Sequence, residues 1–253
     1  MRAPLSPLAI YAMRLGDDAL ILAQRLSEWC GHAAALEIDL SLSNVALDLL
    51  GQATHFLGVA AEEEGAGRDA DALAFRRDVM DFTNCLLVEQ PNGDFAQTIA
   101  RQFLFSNWQD LVFAQVQHSS DPRLAAIAAK ASKETTYHVR LANDWMIRLG
   151  DGTDESKARL IAGLDWMWRF ADELFVMDDV DHALLASGVS IDKAALRGAW
   201  DARIDAVLRE ATLDRPAARR PILGGRAGKH SEHLGHLLTE MQYLQRVYPG
   251  ATW

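Results

Sequence analysis

This sequence predicts an all-α protein built on four long helices, and three observations predict it. Two segments, Leu42–Ala60 and Leu124–Leu149, are long, free of proline and repeat apolar residues at helical spacing. Helix-start signals recur elsewhere: Ser6-Pro7, Asp94 after the Pro91-Asn92-Gly93 turn, and Asp121-Pro122. No run alternates apolar and polar residues as a half-buried strand would, and no repeat or low-complexity segment interrupts the chain.

The elements follow in order. Ser6 caps a first helix, with Gly16-Asp17-Asp18 expected to break or kink it; Leu15, Ala19, Leu22, Leu26 and Trp29 then share a face, with Glu28 beside them. After a turn at Gly31-His32-Ala33, a second helix runs from about Leu36 to Glu64, with Leu42, Val45, Leu49, Gln52 and Phe56 inward. Asp71–Val79 reads as a short helix, and Phe82–Gln90 has no clear pattern. Asp94 opens a third long helix to about His118, aligning Ile99, Phe103, Ser106, Asp110 and Phe113. Asp121 opens a fourth, ended by Gly150, with Leu124, Ala128, Ala131, Thr135, His138, Ala142, Trp145 and Leu149 on one face. The connections within each pair are short, and the one between the pairs, Gly65–Asp94, is long. A bundle with one long crossover is the ferritin-like arrangement. Further helices are expected over Thr153–Val176, Val180–Ala186, from the Asp192 cap to about Thr212, and from Ser231 to just before Pro249. The expected organisation is a single domain, with a core bundle over residues 6–150 and accessory helices over 153–253 packed on it.

Bulk properties exclude several classes of function. A net charge of −10 disfavours nucleic acid and anionic membrane as partners. Apolar runs fall far short of the ~18 residues of a membrane span. The N-terminal stretch through Asp18 lacks a sustained apolar core and a cleavage site, so it reads as mature protein. Two cysteines cannot build a disulfide framework; Cys30 and Cys85 read as free buried thiols of a cytoplasmic chain.

Each inward stripe carries a pair of positions three apart that include a polar residue, Leu49/Gln52 and Thr135/His138. A four-helix di-iron protein places Glu-x-x-His at that spacing on two helices and one Glu on each of the others, because carboxylates bridge hard iron ions and imidazoles complete each one. Here Glu28 stands on the first helix, Leu49 and Gln52 on the second, Ser106 on the third, and Thr135 and His138 on the fourth. Of the six, only Glu28 and His138 have ligand chemistry. The frame is that of a di-iron bundle with its ligands replaced, and Glu28, Gln52 and His138 are expected to meet in the core through hydrogen bonds with no metal between them. In a second cluster His233, His236 and Glu240 share one helical face, a spacing suggestive of zinc, but nothing nearby supplies a fourth ligand and His230 is expected to point elsewhere; the cluster reads as a helix start or a contact between subunits. The arginine-dense run Arg215–Arg226, with Arg219, Arg220 and Arg226, reads as a solvated loop; its alternative is a contact for an acidic or phosphorylated partner, as is His233. No phosphate loop or nucleophile elbow is present.

The strings Gln24–His32, Leu47–Gln52, Leu87–Gly93, Thr98–Gln102, Glu232–Gly235 and Glu240–Val247 resemble the C-subunit family of the bacterial phenylacetyl-CoA 1,2-epoxidase complex over nearly the whole chain. The resemblance implies a ferritin-like fold without an iron site, paired with a related A subunit. In that family the A subunit holds the di-iron centre and oxygenates the aromatic ring. A small B subunit and a reductase with FAD and an iron–sulfur cluster complete the system. No catalytic residue carries over, since Glu-x-x-His of the active subunit is matched only at His138, and Glu28 on the first helix. The resemblance implies a structural subunit with no cofactor of its own; a contact of Arg219, Arg220 or Arg226 with CoA phosphates is the sharper reading of the arginine run, and self-association in isolation is compatible with the resemblance. The rivals are a di-iron oxygenase active by itself and a stand-alone ferritin-like scaffold or storage protein.

Overall fold

A computed structural model describes residues 5–251. The first four residues of the stretch read as mature protein, and the last two of the C-terminal region, lie outside them. Among the described residues the regular structure is helical, with no strand. Among these residues no helix is long and apolar enough to cross a membrane.

The chain divides into two compact units. One is formed by the chain up to Gln90 together with the stretch from Gly224 onward; the other is Pro91–Leu223. The first holds α1 (Pro7–Ser27), α2 (Leu36–Glu64), α3 (Ala70–Phe75), α4 (Leu86–Glu89) and α10 (Glu232–Val247). The second holds α5 (Phe95–Val116), α6 (Pro122–Gly150), α7 (Asp154–Trp168), α8 (Asp179–Leu185) and α9 (Arg197–Glu210).

In the first unit, Ser6 accepts a hydrogen bond from the Ala9 amide and Pro7 occupies the first helical position, so α1 starts where its cap dictates. The sequence suggests a break or kink at Gly16-Asp17-Asp18, but α1 runs unbroken through these residues. Gly16 is a packing residue: a Cβ there would lie 2.8 Å from Leu57 Cγ, so its absence lets α1 and α2 lie close. Leu42, Val45, Leu49, Gln52 and Phe56 of α2 are all buried as the periodicity predicts. Gly65, in the left-handed conformation at φ 63°, closes α2. The short helix expected over Asp71–Val79 ends earlier, at Phe75, and the unpatterned Phe82–Gln90 contains the single turn α4.

In the second unit, Asp94 caps α5 through the Gln97 amide and Asp121 caps α6 through the amides of Arg123 and Leu124. The buried face of α6 is Leu124, Ala128, Ala131, Thr135, His138, Ala142, Met146 and Gly150. Trp145 and Leu149, expected on this face, are displaced by the next residue along. At about 100° per residue Met146 lies roughly 40° from Leu124 around the helix and Trp145 roughly 60°, so Met146 is the more central of the two. Gly150 is required by close approach, because a Cβ there would collide with the Ala211 carbonyl oxygen. The helix expected over Thr153–Val176 ends at Trp168 and gives way to a 3₁₀ turn over Ala171–Phe175. Asp192 caps a 3₁₀ turn, accepting from the Ala195 amide, and α9 follows. Trp200 of α9 is fully buried against Phe175 and donates its indole N–H to the Leu104 carbonyl at 3.0 Å.

Candidate functional site

The positions expected to mark a vanished di-iron site separate into those of the first unit and those of the second. In the first, Leu49 is fully buried and Gln52 nearly so. Glu28 departs from expectation. It is the C-cap of α1, its side chain is 38% exposed, and it accepts a 2.8 Å hydrogen bond from Arg25 three residues back. It lies at the surface, because α1 ends one residue before it. In the second unit, Ser106, Thr135 and His138 are fully buried. Ser106 accepts from Gln102 Nε2 at 2.6 Å. The Thr135 hydroxyl lies 3.2 Å from Asp110 Oδ1, and the other Asp110 oxygen accepts from Arg203 at 2.7 Å. Asp110, which the sequence aligns with Ser106, is thus engaged by a hydroxyl and a guanidinium.

The chemistry of these positions does not fit a di-iron centre. A leucine offers no donor, an amide and two hydroxyls are weak neutral donors for iron, and the carboxylate of Glu28 is exposed and ion-paired. Among the described residues no three His, Cys, Asp or Glu side chains come together to hold a metal. His233 is half-buried, while His236 and Glu240 are exposed on α10.

The densest polar chemistry lies elsewhere in the first unit, and periodicity gave no sign of it. Asp17, Asp18 and Glu89 are buried carboxylates. Arg77 grips Asp17 through both terminal nitrogens and stacks 4.1 Å from the Phe82 ring centroid; the Thr83 amide and hydroxyl complete Asp17 at 2.8 and 2.9 Å. Arg226 grips Asp18 at 3.0 and 2.6 Å, and the Cys85 amide adds a bond at 2.7 Å. Arg226 is therefore engaged inside the fold, whereas its run reads in the sequence as a solvated loop. Glu89 accepts from the Asn84 amide at 2.9 Å, the His230 ring at 2.7 Å and the Ser231 amide at 2.6 Å. The carbonyl of Glu89 takes two bonds from Arg25, which also reaches the His233 carbonyl at 3.1 Å.

His230, expected to point away from its neighbours as a helix-start residue, is wholly buried at the side chain, with Nε2 2.9 Å from the Phe82 carbonyl. Burial opposes a charge on the ring. The hydrogen bond and charge of Glu89, together with the Phe82 carbonyl, outweigh it and raise the pKa above the ordinary 6.5. A carbonyl on one side and a carboxylate on the other suit an imidazolium, which donates from both nitrogens. The sequence signal for this network is slight: two adjacent aspartates inside an apolar helical run, whose partners lie up to 208 residues away.

The other arginines of the Arg215–Arg226 run belong to the second unit. Arg215 pairs with Asp201 and Asp205 and lies 5.3 Å from the Trp168 ring centroid. Arg219 pairs with Asp165 at 2.6 Å, and Arg220 is exposed. The loop they occupy borders a cleft of about 420 Å³ lined by Lys157, Ile161, Leu164, Leu213 and Arg215 among others. Of the cysteines, Cys85 is buried as expected, but Cys30 is exposed, because α1 ends before it.

The chain's overall affinities agree with the resemblance of its strings. A family model described as phenylacetic acid catabolic protein matches residues 2–253. The C subunit of the 1,2-phenylacetyl-CoA epoxidase of Escherichia coli (strain K12) is 52% identical over 249 residues, covering 98% of this chain and 100% of that protein. The chain belongs to the phenylacetic acid catabolic protein family.

Proposed function

We propose that this chain is a non-catalytic, ferritin-like subunit of a phenylacetyl-CoA epoxidase in cytoplasmic phenylacetate degradation. In this reading the chain binds and supports a di-iron catalytic subunit. The observation that carries it is the chemistry of the frame positions: Leu49, Gln52, Ser106 and Thr135 are buried where iron would require carboxylates and imidazoles, leaving His138 as the one strong donor among the buried positions. The relative from Escherichia coli, by its name the C subunit of the epoxidase, supports the assignment to that complex. The mechanism is indirect. A partner that binds only the folded catalytic subunit stabilises it in proportion to RT ln(1 + [L]/Kd), which is about 2.7 kcal/mol at a hundredfold excess over Kd.

Co-expression of the catalytic subunit with and without this chain, followed by oxygenation of phenylacetyl-CoA, tests the reading. Activity and soluble yield of the catalytic subunit are expected to fall sharply when the chain is omitted. Near-stoichiometric iron in the isolated chain, with oxygen-dependent turnover, would sink it.

A further inference from the structure

Helix α2 carries a face that none of the described residues covers. Leu36, Leu40 and Leu47 are 70%, 55% and 66% exposed. At 3.6 residues per turn they share an arc of roughly 60° with Gly51 and Gly58. Glycine inside a helix weakens it relative to alanine, so a mid-helix glycine calls for a reason. Gly16 has one inside the chain, its contact with Leu57. Gly51 and Gly58 have none: a Cβ at either would meet no atom within 4 Å. A ridge of leucines running into a notch of glycines is the relief into which a second helix packs, ridge in groove with close backbone approach.

Charge selects the occupant. Helix α2 carries Glu37, Asp39, Asp48, Glu62, Glu63 and Glu64 and no lysine or arginine, on a chain of net charge −10. Two copies joined through this face would set acid against acid. A different helix, apolar along its seam and flanked by basic residues, is complementary. We infer that this face of α2 docks such a helix from a different polypeptide; resting on the function proposed above, that polypeptide is the catalytic subunit.

The test measures the Kd of the purified chain for the catalytic subunit in wild type, Leu40→Glu/Leu47→Glu and Gly51→Leu forms. Gly51→Leu places a good helix former in open space, so the isolated variant is expected to melt no lower than wild type. Both variants are expected to bind at least tenfold more weakly, and wild-type binding to weaken with added salt. Wild-type affinity in the folded variants would overturn the inference. So would a dimer of the isolated chain that Gly51→Leu dissociates. If the double variant fails to fold, hydroxyl-radical footprinting of the wild-type complex decides: Leu40 and Leu47 are expected to be protected, and oxidation as fast as in the free chain overturns the proposal. Absence of any wild-type complex would overturn the partner assignment too, and the wild-type arm separates that failure from failure of the surface alone.

Discussion

His230 is the residue whose surroundings matter most for its chemistry. Its raised pKa means that the folded chain holds a proton that the unfolded chain releases near 6.5. The stability it contributes is complete below that value and is lost as pH rises through the higher folded-state pKa. The thermal midpoint is therefore expected to decline across this window, and Glu89→Gln, by removing the carboxylate, to flatten the decline in melts taken from pH 5 to 9. A second expectation concerns Asp17. Arg77→Met leaves that buried carboxylate without its guanidinium, and losing one partner of a buried pair costs about 3–5 kcal/mol; urea denaturation would measure it. None of these pairings was legible in the sequence. Periodicity records which side of a helix is apolar, whereas Asp17 and Asp18 are buried by partners on distant segments that no local spacing announces. Glu28 shows the opposite error: its phase along α1 suggested the interior, but helix phase carries no information about where the helix stops.

At the scale of elements the sequence was far more legible. Ser6, Asp94 and Asp121 each cap the helix they were expected to open, because capping depends on residues within one turn. The inward face of α2 matches its predicted stripe throughout. What spacing missed were the effects of packing between elements, above all Gly16, read as a break and found to be a contact. Two glycine substitutions are expected to diverge for this reason. Gly16→Ala drives a methyl into Leu57 and is expected to destabilise by about 1–3 kcal/mol. Gly51→Ala meets nothing and is expected to stabilise by about 1 kcal/mol. Equilibrium unfolding of the two variants would show opposite signs; a loss in both would contradict the open surroundings of Gly51. Trp200→Ala, which empties a buried site and orphans the Leu104 carbonyl, is expected to cost about 3–5 kcal/mol in the same measurement.

At the scale of the whole molecule, the first unit is made from both ends of the described chain, with the second unit inserted between them. On the ribosome this order imposes a wait. The carboxylates of Asp18 and Glu89 emerge early, and Arg226 and His230 follow only after the roughly 130 residues of the inserted unit. At roughly 5–20 residues per second the interval is on the order of 10 s. Throughout it α1 carries acidic groups that its apolar neighbours cannot cover without a large desolvation penalty. A nascent chain arrested after Leu223 is accordingly expected to present its first ninety or so residues to proteases, and pulse proteolysis of stalled chains would register the change once Arg226 and His230 have been added. Messages truncated late in translation would thus yield a product marked for degradation by two unpaired carboxylates.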